Sequence, residues 1–117
     1  MSNLSVTLSY PNSQLSANRK RSFEHLARLR RQQKQEAFVV AKSAGWQGVR
    51  ADNGLVITFC VPDRRKRDLD NLLSMFKGAI DGISQAMGQD DSSFDDIRIK
   101  KRFDGKGTEK VIVEIVQ

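Results

Sequence analysis

Apolar and polar residues alternate near both ends of the chain, which is the pattern of half-buried strands. Residues 4–8 alternate in this way before a proline-containing turn, and they predict an N-terminal strand. Residues 97–99 and 111–116 alternate again, separated by a glycine-rich turn at residues 104–107. The spacing of these last segments predicts a C-terminal hairpin.

Two longer segments repeat their apolar residues at helical spacing instead. The first predicts a helix from about residue 16 to residue 44, with Ser16 or Asn18 as the capping residue. The second predicts a helix from about residue 69 to residue 87, because its apolar residues recur at intervals of four, four, three and four. A helical projection of this segment also predicts one polar stripe, formed by Asp70, Ser74, Lys77 and Asp81.

A run of β-forming residues lies between the two predicted helices, at residues 55–61, and is long enough for a buried strand. The resulting order is β, α, β, α, β, β. It predicts an α/β (α+β) fold, a mixed sheet with packed helices, in a single small domain over residues 1–117. No apolar run approaches the roughly twenty residues of a membrane-spanning helix, and residues 1–9 lack the features of a signal peptide. We therefore expect a cytoplasmic protein without a membrane partner.

Basic residues outnumber acidic ones by 20 to 14, which gives a net charge of +6 and an isoelectric point near 9.8. A surplus of this size favours a nucleic-acid partner. The chain has one cysteine, Cys60, and one histidine, His25. These numbers exclude an internal disulfide and any zinc site of several cysteines or histidines, so a metal ion would have to be held by oxygen.

Residues 63–71 combine carboxylates with four consecutive cations. Carboxylates hold Mg²⁺ together with water and phosphate oxygens, and the cations attract a polyanion. Asp68 must lie in the non-helical approach to the second helix if it is to join Asp70. Taken alone, these two aspartates are also typical of a helix cap and a first-turn acid. The residues that we expect to contact DNA phosphates are Arg19, Lys20, Arg21, Arg64, Arg65, Lys66 and Arg67.

The ordered set of motifs at residues 62–72, Lys77, residues 81–83 and residues 90–92 strongly resembles the RusA family of Holliday-junction resolvases. The resemblance covers residues 55–116 well and the N-terminal segment more loosely. It implies a homodimer that binds four-way junction DNA and nicks two opposed strands in DNA recombination and repair. It also implies a Mg²⁺ cofactor, for which Mn²⁺ is the expected substitute, and no small-molecule cofactor.

By this resemblance, Asp68, Asp70 and Asp91 take the positions of the metal-binding catalytic aspartates, with Asp90 a neighbouring candidate. Lys77 takes the role of the catalytic lysine. One form of the family carries that lysine where this chain has Ser74, so the equivalent cation here lies one turn further along the helix. The source implied is a bacterium or a phage, with the protein acting at the nucleoid.

Three alternatives stay open from the sequence. The chain is also compatible with a DNA-binding module that keeps the fold without cutting, and with a general nuclease for flaps or forks. A third alternative is an interaction protein whose basic face binds an acidic partner.

Overall fold

The computed structural model describes residues 4–16, 22–51, 54–90 and 94–116. Its strands are β1 (Ser5–Ser9), β2 (Leu55–Val61), β3 (Ile97–Phe103) and β4 (Lys110–Ile115). Its α-helices are α1 (Phe23–Ser43), α2 (Leu69–Met75) and α3 (Lys77–Met87), and a short 3₁₀ helix, Ser13–Leu15, follows β1. The predicted class, a small α+β domain with a mixed sheet, is confirmed.

The four strands form one sheet in the order β1-β4-β2-β3. β2 is parallel to β3 and antiparallel to β4, which in turn is antiparallel to β1. The predicted C-terminal hairpin is therefore wrong, because β2 lies between β3 and β4. β2 is apolar on both faces, which suits a central strand, whereas β3 is mostly exposed and forms an edge.

The predicted first helix begins later than its apolar pattern indicates. Ser22 is its N-cap, and the Ser22 hydroxyl accepts a hydrogen bond from the backbone N–H of His25 at 3.2 Å. Ser16 instead follows the 3₁₀ helix, and Asn18 lies outside the described residues. The apolar stripe of α1 does face the core, where Ala37 and Ala41 are fully buried.

The predicted second helix is two helices. Phe76 ends α2 and precedes α3, with backbone angles of φ −103° and ψ 1°. Its ring is fully buried and packs edge-on against Phe59 of β2, at 5.5 Å between ring centroids. The apolar positions of both helices still belong to the core. The residues of the predicted polar stripe are divided between the two helices, with Asp70 and Ser74 on α2 and Lys77 and Asp81 on α3, and all four are exposed.

Close packing of α1 on α3 depends on Gly82. A Cβ atom at this position would collide with the carbonyl oxygen of Lys34 and lie 3.1 Å from the Cβ of Ala37. The core beneath these helices contains Trp46, Phe59 and Ile83, all fully buried. None of the helices among the described residues has the length and hydropathy needed to cross a membrane.

Candidate active site

Asp68 and Asp70 lie where the basic loop enters α2. Asp68 is the N-cap, in extended backbone, and its Oδ1 accepts a hydrogen bond from the backbone N–H of Asp70 at 3.0 Å. The prediction that Asp68 precedes the helix is confirmed. Asp70 occupies the first helical turn, and both residues are exposed. The cap and the first turn of one helix therefore carry two solvent-accessible carboxylates.

The basic loop, residues 63–67, is ordered by its own ion pair. The carboxylate of Asp63 accepts hydrogen bonds from the backbone N–H of Arg65 at 2.9 Å and from Nη1 of Arg67 at 2.8 Å. The hydrogen bond from Arg67 is the main cause that lowers the pKa of Asp63 below its ordinary value. Only 13% of the Arg67 side chain is exposed, so this arginine mainly holds the loop in place.

The four cations of this loop differ in their surroundings. The guanidinium of Arg64 lies over the ring of Phe103, at 4.6 Å from the ring centroid. Arg65 and Lys66 are exposed and line a cavity beside Asp68. Of the predicted DNA-contacting residues in the loop, these two are the ones best presented to a ligand.

The cavity beside Asp68 has a volume of about 800 Å³. One side is formed by the end of β1 and the 3₁₀ helix, and the other by the basic loop, α2 and β3. Asn71 and Ser16 link these two sides, because the Asn71 Nδ2 donates to the Ser16 hydroxyl at 3.1 Å. The lining residues are Tyr10, Pro11, Ser13, Ser16, Arg65, Lys66, Arg67, Asp68, Leu69, Asn71, Leu72, Met75 and Lys101.

A model of the family described as Endodeoxyribonuclease RusA matches residues 27–116, well over half of the chain. The chain belongs to the RusA endodeoxyribonuclease family. The match includes both exposed aspartates, the basic loop and all of the sheet except β1. The resemblance to this family that the sequence motifs indicate is thus confirmed.

Two relatives share different lengths of sequence with this chain. An uncharacterized protein of Xylella fastidiosa is 37% identical over 94 residues, which is 77% of this chain and 61% of the relative. A protein of Enterobacteria phage HK97 named Crossover junction endodeoxyribonuclease rusA is 52% identical over 40 residues, 33% of this chain and 31% of the relative. The chain thus spans less than two thirds of the length of either relative.

The remaining predicted residues of the RusA site lie apart from the Asp68–Asp70 pair along the chain. Lys77 is exposed and begins α3, beyond the break at Phe76, and Asp90 is exposed after the end of α3. Asp91, together with Arg19, Lys20 and Arg21, lies outside the described residues. Across the segments 4–16, 22–51, 54–90 and 94–116, no three acidic, histidine or cysteine side chains are grouped to hold a metal ion.

Lys101 is a site residue that the sequence interpretation missed. Its Nζ donates a hydrogen bond to the backbone carbonyl of Arg67 at 2.6 Å, and its side chain lines the cavity. The alternation of side chains between the two faces of β3 identifies this residue. Lys101 has the same parity as Ile97 and Ile99, whose side chains pack on the core beneath the helices, so it points to the same face of the sheet.

Proposed function

We propose that this chain is a structure-selective endodeoxyribonuclease that resolves four-way DNA junctions by metal-dependent hydrolysis of phosphodiester bonds. The observation that carries the proposal is the pair of exposed aspartates at the start of α2, of which Asp68 lines a cavity together with Arg65, Lys66 and Lys101. Carboxylates and cations are both needed at such a site, since the substrate is a polyanion and the cofactor a cation. Membership of the RusA family supports the same chemistry.

The donor set suits Mg²⁺. This ion prefers oxygen ligands, keeps several waters and is commonly held by one or two protein carboxylates together with phosphate oxygens. Asp68 and Asp70 supply two such carboxylates at an exposed position, and by the family resemblance Asp91 supplies a third, with Asp90 next to it. When bound, Mg²⁺ supplies Lewis acidity toward the phosphoryl oxygens and lowers the pKa of water; Mn²⁺ is expected to substitute.

The protein's own residues hold the substrate. Arg65, Lys66 and Lys101 attract the DNA backbone and orient the scissile phosphate toward the two aspartates. Their contacts are to phosphates, so they give affinity that falls with salt and carry little base information. We propose that Lys77, on the exposed surface at the start of α3, stabilises the negative charge that develops on the phosphate.

Paired cuts in opposed strands require two active sites related by symmetry, and we propose a homodimer on this ground. The proposed place of action is the bacterial cytoplasm, at the DNA of a host or a phage. The bacterial and phage sources of the two relatives support this setting.

The proposal is tested with the Asp70→Asn variant, which removes one carboxylate charge and leaves the first helical turn otherwise unchanged. We expect loss of Mg²⁺-dependent cleavage while binding to a four-way junction is retained or strengthened, because a charge that repels phosphate is removed. Glu24→Gln is the matched control, because Glu24 is an exposed first-turn carboxylate on α1 and lies outside the residues that match the family. Junction binding without nicks by the unaltered protein would instead support the non-catalytic module, and equal cleavage of flaps and junctions would support the general nuclease.

A second variant tests the lysine. We expect Lys77→Ala to slow cleavage without weakening junction binding, since one ammonium among many contributes little to affinity. An unchanged cleavage rate would remove Lys77 from the mechanism.

A further inference from the structure

The cavity beside Asp68 is larger and more apolar than contacts with a phosphate backbone require. Its volume of about 800 Å³ lies within the range of roughly 300–1,000 Å³ that small-molecule sites occupy. Leu69, Leu72 and Met75 contribute to its lining at intervals of three along α2, so they share one side of that helix. A DNA backbone that lay across the rim would leave this apolar side without a partner.

An aromatic ring completes the apolar part of the cavity. Tyr10 follows β1 and is half-buried, and its ring packs edge-on against Phe59 at 6.5 Å between centroids. Burial raises the pKa of the Tyr10 hydroxyl above its ordinary value. Pro11 lies beside it in the lining. These flat, rigid groups are the kind of surface on which a nucleic-acid base packs.

Polar groups stand in the same cavity. Ser13 and Ser16 approach from the 3₁₀ helix, and Asn71 approaches from α2. The reciprocal hydrogen bonds between Ser16 and Asn71, at 3.1 and 3.3 Å, fix the distance between the two walls. Hydroxyl and amide groups can each donate and accept hydrogen bonds, so such a wall can distinguish one base edge from another.

We propose that this cavity accommodates the base of one unstacked nucleotide next to the scissile phosphate, and that it thereby sets the nucleotide preference at the cut. The inference rests on the proposed nuclease function. The backbone of that nucleotide would contact Arg65 and Lys66 at the rim, which brings the adjoining phosphate to Asp68. The cost of extruding a base falls where its stacking and pairing are weakened, so the proposal places the extruded nucleotide at the crossover.

The first test uses the unaltered protein and the fluorescent base 2-aminopurine. Four-way junctions carry it on either side of the mapped cut or, as a control, well inside one arm, and Ca²⁺ replaces Mg²⁺ to prevent cleavage. We expect binding to change the fluorescence at least about twofold at one position beside the cut and to leave the arm unchanged, since the base loses its stacked neighbours and enters the cavity. Unchanged fluorescence beside the cut would overturn the proposal.

The second test fills the cavity. Ser13 is exposed and lines it, so Ser13→Phe places a ring inside without removing a buried group. Ser43→Phe is the matched control, because Ser43 is exposed at the far end of α1, about 27 Å along the helix from His25, which contacts the 3₁₀ helix. Thermal melting of both variants verifies that they fold.

We expect Ser13→Phe to change the ratio of cleavage among junctions of different crossover sequence by at least about fivefold, while Ser43→Phe leaves it unchanged. Equal ratios in the two variants would overturn the inference while the nuclease function stands, provided that both still nick junctions. A protein that nicks no DNA at all would contradict the proposed function itself, and the inference with it.

Discussion

Asp68 has two proposed roles that can be separated by experiment, because its carboxylate both caps α2 and is offered as a metal ligand. An asparagine at this position keeps the capping oxygen but loses the charge, whereas an alanine loses both. Asn and Asp are about equally good at an N-cap, so Asp68→Asn should leave the free energy of unfolding almost unchanged. Asp68→Ala removes the 3.0 Å hydrogen bond to the backbone of Asp70 and should cost about 1 kcal/mol.

For a chain of 117 residues, that cost lowers the melting temperature by about 3–6 °C. Cleavage should respond differently. A neutral amide is a much poorer ligand for Mg²⁺, so both variants should lose at least about a hundredfold in cleavage rate at a fixed Mg²⁺ concentration.

The assay combines thermal melts with single-turnover cleavage of a labelled four-way junction, at a temperature where all variants are folded. Glu24→Gln controls for removal of an exposed carboxylate from the first turn of a helix. If Asp68→Asn cleaves as fast as the unaltered protein, Asp68 is a helix cap and nothing more. The metal assignment for this residue would then be refuted.

Three further predictions concern packing, binding and pH. Gly82→Ala should destabilise the fold by about 1–2 kcal/mol, because the collision with α1 costs more than the gain in helix propensity. Chemical unfolding measures this difference, and equal stability of the two proteins would refute the close packing. The double variant Arg65→Gln, Lys66→Gln should weaken junction binding and reduce the slope of log K against log salt by about two, and an unchanged slope would exclude phosphate contacts there. The pKa of Asp63 is lowered by Arg67, so this carboxylate adds stability above its unfolded pKa and loses it as the pH falls through the lower folded value. The free energy of unfolding of the unaltered protein should therefore exceed that of Asp63→Asn by a margin that shrinks below about pH 4. A difference independent of pH would contradict the ion pair.

Local patterns predicted the elements of this fold better than their pairing. Alternation located β1, β3 and β4, and helical spacing located the apolar faces of all three helices. The hairpin prediction is wrong because β3 and β4, although adjacent in sequence, do not pair in the sheet. β2 has apolar residues on both faces and gains most from a central position, so it separates β3 from β4.

The candidate site shows the same division between local and long-range information. The position of Asp68 before α2 could be predicted, since a cap is a local feature confined to a few residues. The cavity could not, because it combines Tyr10, the 3₁₀ helix and Lys101, which only the tertiary fold brings together. The break at Phe76 was also hidden, because both helices keep their apolar residues in phase across it.

Cleavage of a strand-labelled synthetic four-way junction in Mg²⁺ shows whether the protein is a metal-dependent junction resolvase, with EDTA, a linear duplex and the Asp70→Asn variant alongside. We expect paired symmetric nicks near the crossover that require both the metal and Asp70, and little cutting of the duplex. Tight junction binding without nicks, or nicks that persist in EDTA or in Asp70→Asn, would refute the proposed resolvase activity.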